Sequence, residues 1–263
     1  MIVVSKEDFH VVKEKIKEAP IFVFSILDNI INGTVYSNSN NLESLLIKTN
    51  SGLYYVTGTS TDEYFSGNLV SIFVESVVKG RRFTLFSNTE SWCQVIEKTL
   101  GEREKTLGER IRRIERFTFC FDLNAQQKRK RISHNNYNIE KINQVHIENC
   151  LEFDKQYYDE YWDSTSNFLQ NGFGFCIKEN NQIISEGVSI FKSVDYAEID
   201  IITDSNYRGK GLANLVAEQF IDYCLSQNIQ PRWDCNIDNT ASIQLGNKLG
   251  FSNPQKYAVY VKR

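Results

Sequence analysis

The segment that most constrains this chain is residues 207–224, YRGKGLANLVAEQFIDYC. Gly209 and Gly211 stand just ahead of a long amphipathic run, and a strand-like stretch, AEIDIIT at residues 197–203, stands just before them. Strand, glycine-punctuated turn and helix together make an anion cradle. The first N–H groups of a helix have no intrahelical partner, and they face outward with the positive end of the helix dipole. Arg208 and Lys210 flank the turn and add side-chain charge. The pattern points to a phosphorylated ligand or cosubstrate.

The remaining composition narrows the class. At 263 residues the chain is long enough for one or two domains. Its formal net charge of -3, from 33 acidic and 30 basic residues, is no footprint of a nucleic-acid binder. Basic residues do cluster at Arg103, Lys105, Arg110, Arg112, Arg113 and Arg116, and again at Lys128, Arg129, Lys130 and Arg131. A solvated helix face followed by a charged connector accounts for them. The six cysteines form no CxxC pair, and the three histidines have no ligand spacing to them, so neither a disulfide framework nor a metal site is expected. The N-terminus carries charges at Lys6, Glu7 and Asp8 and does not read as a signal peptide. The most apolar run, residues 21–27, is too short to cross a bilayer and reads as a buried strand. A cytoplasmic protein without membrane partners is the expectation.

Periodicity predicts a helix over residues 6–17, with Phe9, Val12 and Ile16 on one face. A turn is expected at Asn32 and Gly33. Asn40 is expected to cap a helix over 42–48, with Leu42, Leu45 and Leu46 inward. Strands are expected at 53–57 and 82–86, a loop at 58–67, and either a strand or a short helix at 68–78. Helices follow at 90–100 and 109–114, then a strand at 116–121. The polar, basic stretch 124–136 separates this region from a second unit. That unit is expected to hold a strand in 137–145 and a helix over 151–168. Strands follow at 173–177 and 182–191, joined by a polar turn at 179–181, and then at 195–203. The long helix spans 209–227, followed by a strand at 231–235, a helix at 239–249 and a final strand at 256–262. The fold class is α/β: a C-terminal mixed sheet flanked by helices, with an additional N-terminal α/β domain. The expected division is 1–125 as an acceptor-side or structural domain, 126–136 as a basic linker and 137–263 as the functional domain.

From Asp195 onward the sequence resembles the GCN5-related N-acetyltransferase (GNAT) superfamily. Its glycine-rich motif, Q/R-x-x-G-x-G/A, corresponds to Asn206, Tyr207, Arg208, Gly209, Lys210 and Gly211, with Asn206 in place of Gln or Arg. The family's later signature, an Asn, then a small residue, then a helix ending in Gly-Phe, corresponds to Asn239, Ser242, Gly250 and Phe251. The two motifs in order, with a strand between them, are far more specific than a lone glycine pair. The stretch WDC at Trp233–Cys235, with the extra N-terminal domain, is similar to a bacterial two-domain subgroup that includes relatives of the zwittermicin-resistance acetyltransferase.

The resemblance implies an acetyl-CoA-dependent acyltransferase acting on a small-molecule primary amine, without nucleic-acid or membrane partners and with a homodimer admitted. Backbone atoms of Ile201, Ile202 and Thr203 would pair with pantetheine. The turn from Arg208 through Gly209, Lys210, Gly211 and Leu212 to Ala213 would hold pyrophosphate. Asn239 would reach the cosubstrate's arm or simply cap its helix, and Ser242 would contact phosphates or allow close approach. Glu198, on the strand before the cradle, is the expected base for the attacking amine, with Glu186 in reserve and Asp200 structural or substrate-facing. Where the family usually carries a Tyr as the acid, this chain has Gly246. Tyr257 is the alternative acid. A non-catalytic acyl-CoA sensor or scaffold, and an enzyme using a longer acyl-CoA, are the other readings.

Overall fold

A computed structural model describes residues 1–107, 111–123 and 137–262. The chain folds as two compact units: Met1–Phe117 with Lys256–Arg263, and Thr118–Gln255. The expected linker, 126–136, lies outside the described residues. The sequence expectation placed the last strand in the second unit, whereas its residues from Lys256 on belong to the first.

The first half of the chain runs β1 (Ile2–Val3), α1 (Phe9–Lys15), α2 (Ile21–Leu27), β2 (Gly33–Ser37), β3 (Ser44–Thr49), β4 (Leu53–Gly58), α3 (Glu63–Val78), β5 (Thr84–Ser87), α4 (Glu90–Leu107) and β6 (Ile111–Phe121). Several of these differ from expectation for definable reasons. α2 is a helix, not a strand. All seven of its residues are buried, and a helix apolar on every side carries no period to read. Residues 42–48 form no helix. Leu42 has φ 57°, and Leu45, Leu46 and Ile47 lie buried in β3. The expected loop 58–67 gives way to α3 at Glu63, because the Asp62 carboxylate caps that helix by accepting the Phe65 N–H at 2.9 Å. α3 then buries Phe65, Leu69 and Phe73 at helical spacing, against Trp92 and Ile96 of α4 and Phe83 and Leu85 near β5. The expected helix over 109–114 is strand β6 from Ile111. The turn into β2 falls at Asp28 and Asn29, with Asn29 at φ 57°, and not at Asn32.

The second half runs β7 (Ile139–Lys141), α5 (Gln144–Glu148), α6 (Lys155–Trp162), α7 (Thr165–Asn171), β8 (Gly174–Glu179), β9 (Gln182–Lys192), β10 (Tyr196–Thr203), α8 (Leu212–Ser226), β11 (Gln230–Asn236), α9 (Thr240–Lys248) and β12 (Phe251–Lys262). The single helix expected over 151–168 is two. Asp163 at φ 62° ends α6, and Ser164 Oγ restarts the chain by accepting the Asn167 N–H at 3.1 Å. The turn between β8 and β9 is formed by Asn180 (φ 50°) and Asn181 (φ 65°), the left-handed pair that a tight hairpin favours.

In the first unit the strand order is β1-β2-β3-β4-β5-β12, with β4 and β5 parallel and β12 antiparallel to β5. In the second it is β11-β10-β9-β8-β7, with β10 and β11 parallel and the remaining pairs antiparallel. The two halves repeat one order: strand, helices, three strands, helix, strand, helix, strand. Among the described residues the second half adds the short α5. The halves also exchange closing segments. The end of β6 belongs to the second unit, where Phe121 packs on Phe251 at 5.4 Å, and the end of β12 belongs to the first.

Candidate functional site

The site is built where β10 leaves its neighbour. The parallel register of β10 and β11 runs Tyr196↔Gln230, Ala197↔Pro231 and Glu198↔Arg232 and stops there. β10 continues to Thr203 with β9 on its other side, past a register shift between Glu198 and Ile199. Backbone alternation sorts its groups. Gln230 N–H donates to Asp195 O, and Asp204 N–H donates to Ile184 O. These two bonds turn Ile199, Ile201 and Thr203 away from β9, and turn Asp200 and Ile202 toward it. In a parallel ladder one residue bonds to both neighbours of its partner, so Arg232 engages Ile199. Ile201 then carries the first outward-facing N–H beyond the ladder.

This narrows the expected backbone contacts. Ile201 and Thr203 present their main chain on the open edge, whereas the Ile202 carbonyl is occupied by Ser185 Oγ at 3.2 Å. Two open-edge groups have local partners. The Thr203 carbonyl accepts from Arg208 Nε at 3.2 Å, and the Ile201 N–H donates to Asp200 Oδ1 at 3.0 Å.

From Thr203 the chain enters the turn. Asp204 Oδ1 accepts the Asn206 N–H at 2.8 Å and shapes a short 3-10 turn over Ser205–Tyr207. Gly209 at φ 76° and Gly211 at φ 80° then lead into α8. A side chain on Gly209 would meet nothing within 4 Å, so its backbone conformation, and not crowding, calls for glycine there. Gly211 is the N-cap of α8 and supplies no side-chain cap. The N–H groups of the first turn, at Leu212 and Ala213, therefore stand at a helix start that no side chain closes. Arg208 and Lys210 are exposed beside it, with Lys210 Nζ resting 4.3 Å from the centre of the Tyr207 ring. The Tyr207 hydroxyl donates to Glu179 Oε2 at 2.6 Å, which pins the turn to the β8–β9 hairpin. An uncapped helix start, two exposed cations and an open strand edge suit a ligand with phosphates at one end and an amide-bearing arm.

The other expected residues divide. Asn239 is the N-cap of α9, accepting the Ser242 N–H at 3.1 Å, and Ser242 Oγ accepts from Trp233 Nε1 at 3.1 Å. Gly246 explains the missing tyrosine. A Cβ there would lie 3.1 Å from Trp233 Cδ1 and Nε1, so the buried indole fills the space a larger side chain would need. Glu198 stands at the last β10–β11 pair, beside Arg232, whose guanidinium lies 4.6 Å from the Tyr196 ring centre and also contacts the Cys120 thiol. Glu186 is only 1% exposed, and its Oε1 accepts the N–H groups of Leu151, Glu152 and Phe153 at 3.2, 2.7 and 3.0 Å. Burial raises its pKa against those three bonds, and it anchors the entry to α6. Tyr257 lies in the first unit, its ring stacked on Phe86 at 6.1 Å.

Sequence reasoning missed Tyr157. Its hydroxyl donates to Asp200 Oδ2 at 3.0 Å, and burial, then the Asp200 charge, hold its pKa well above the usual tyrosine value. No spacing marks this pairing, because α6 and β10 lie far apart in sequence. Among the described residues there is no group of three or more metal-ligating side chains and no helix long and apolar enough to cross a membrane.

The chain belongs to the GNAT acetyltransferase family, whose model matches residues 11–260. An uncharacterized N-acetyltransferase of Bacillus subtilis (strain 168), YdfB, is 36% identical over 245 residues, covering 93% of this chain and 91% of that protein. A GCN5-related N-acetyltransferase-like protein from Streptococcus suis 89/1591 has a similar fold, with a TM-score of 0.72 at 24% identity over 98% of this chain and 99% of that one. A tandem GNAT protein from the clavulanic acid biosynthesis pathway shares the fold at a TM-score of 0.60 and 10% identity, over 100% and 97% of the two chains.

Proposed function

We propose that this acyltransferase moves an acetyl group from acetyl-CoA to a primary amine of a small molecule, by direct attack of the amine on the thioester. The observation that carries this reading is the open edge of β10 running into the uncapped start of α8. Pantetheine would add to that edge as a short strand through Ile201 and Thr203. Pyrophosphate would sit on the N–H groups of Leu212 and Ala213, with Gly209 and Gly211 letting the chain pass close by and Arg208 and Lys210 adding charge. Asn239 and Ser242 would border the arm from the start of α9 while keeping their capping and indole bonds.

The attacking amine must lose a proton, and Glu198 is the group we assign to take it. The carbonyl oxygen gains charge as the amine adds, and an outward N–H of β10 would receive it. The departing thiol ionises in the range of a free cysteine thiol, about 8.5, and so leaves without a strong acid. Tyr257, the acid suggested by sequence, has its ring stacked on Phe86 and stays the candidate acid beside water for that step. Residues 1–125 serve the acceptor side or stability, and the free cysteines suit the cytoplasm.

A thiol-release assay with acetyl-CoA and a panel of amines tests this. The account expects thiol release that depends on the amine. Tight acetyl-CoA binding without turnover on any amine would favour a sensor.

A further inference from the structure

Resting on that functional reading, we propose that Asp200 and Tyr157 set acyl-donor affinity by masking the main-chain donor on which the thioester arm docks. The Ile201 N–H is the first outward amide of β10 beyond its ladder with β11, and the Asp200 Oδ1 occupies it at 3.0 Å. The other oxygen, Oδ2, accepts the Tyr157 hydroxyl at 3.0 Å. Tyr157 is itself fixed among rings, with Phe153 at 4.7 Å, Tyr161 at 4.8 Å and Tyr158 at 5.5 Å. Its phenol is the permanent donor of the pair, since burial first and the Asp200 charge second keep it protonated.

A strand edge normally leaves such an amide to water. Here a carboxylate from the preceding residue takes the place that a carbonyl of the incoming arm would need. Binding must therefore break the Asp200–Ile201 bond, while Tyr157 keeps its hold on Oδ2 and limits where the carboxylate turns. Asp200 and Tyr157 are thus positioning residues. Their effect falls on donor affinity, because they compete for a hydrogen bond and touch no phosphate-binding group.

The test is acetyl-CoA titration calorimetry on the full chain, with the Ile201 amide resonance followed by NMR after selective isoleucine labelling. Asp200→Ala exposes the N–H and is expected to tighten binding about fivefold to tenfold, the scale of one net hydrogen bond. Asp200→Asn keeps an acceptor oxygen and is expected to stay near the parent. Tyr157→Phe removes the phenol's bond to Oδ2 and is expected to fall between them. The Ile201 amide should move upfield in Asp200→Ala without ligand, and on acetyl-CoA binding in the parent it should change partner and shift. Equal tightening by Ala and Asn would assign the effect to charge and overturn the proposal. So would unchanged affinity in all three folded variants. If the parent itself binds no acetyl-CoA, the functional reading falls and the masking role falls with it, an outcome distinct from normal binding with unresponsive variants.

Discussion

Two junctions occupy the same place in the two halves of the chain. One joins β4 to α3 and the other joins β10 to α8. In each, a strand paired parallel to the next strand runs into the half's long central helix. In the first, the helix start is closed by its own carboxylate, Asp62, which accepts the Phe65 N–H at 2.9 Å. The Gly58 carbonyl at the strand's end accepts Trp92 Nε1 at 2.9 Å, and the Thr59 N–H donates to Glu43 O at 2.8 Å. In the second, Gly211 supplies no side-chain cap and two cations flank the turn. Both strands run on past their three-pair parallel ladders, β4 beyond Tyr55 and β10 beyond Glu198, so the helix starts and not the strand edges set the junctions apart. On the proposed function, one framework gives a sealed junction or a binding junction, depending on a few residues. A carboxylate at a helix start satisfies the same N–H groups that a phosphate would, and repels the phosphate as well.

The largest expected effect concerns Glu198, which has no counterpart role in the sealed junction. Glu198→Gln should lower kcat by about 10²-fold with little change in acetyl-CoA affinity, as measured by steady-state kinetics and calorimetry across pH. Tyr157 cannot supply a limb below about pH 10, because its folded pKa lies above that ordinary value. A rising limb at lower pH therefore does not come from Tyr157. An unchanged profile in Glu198→Gln assigns it to the amine.

Alkaline titration probes the sealed half. Burial pushes the Tyr55 phenol up to about 12, opposed by its side-chain hydrogen bonding with Thr57 and Asn88. A raised phenol contributes stability that is complete below the unfolded value near 10 and is lost as pH rises through the folded value. Denaturant melts should therefore lose ~2–3 kcal/mol between about pH 10 and 12, and Tyr55→Phe should remove much of that slope. Trp233→Phe in the binding half removes the bond to Ser242 and should cost ~1 kcal/mol in the same melts. The smallest effect is Asp62→Ala. It should lower Tm slightly and leave acetyl-CoA affinity unchanged, because its junction still lacks a counterpart of the 208–211 turn, with its two glycines and two cations. A gain of a second acetyl-CoA site would show instead that the carboxylate alone decides.

The binding junction was the most legible part of the chain. Its strand, turn, helix and following strand were all expected, because Gly209 and Gly211 and the amphipathic run above them leave few alternatives. Gly246 was visible as a departure from the family, but its cause, the Trp233 indole against it, lies in packing that no local pattern reveals. The sealed half was read less well. α2 is apolar on every side, β3 holds three consecutive buried aliphatic residues, and neither has a period that separates strand from helix. The repeat stayed hidden for a related reason. It resides in the order of elements, while the residues at the two junctions, Thr59 to Asp62 and Asp204 to Gly211, share no motif. The Tyr157–Asp200 pair joins α6 to β10, and only the fold brings it together.

The central claim is that one junction binds the acyl donor and the other does not. Calorimetric titration of acetyl-CoA into the intact chain and into a folded Gly209→Asp, Gly211→Asp variant tests it most directly. Added carboxylates at the start of α8 imitate the sealed junction by backbone strain and by repelling phosphate. The account predicts one acetyl-CoA per parent chain and no measurable binding to the variant. Two equivalents per chain, or undiminished affinity in the variant, would contradict it.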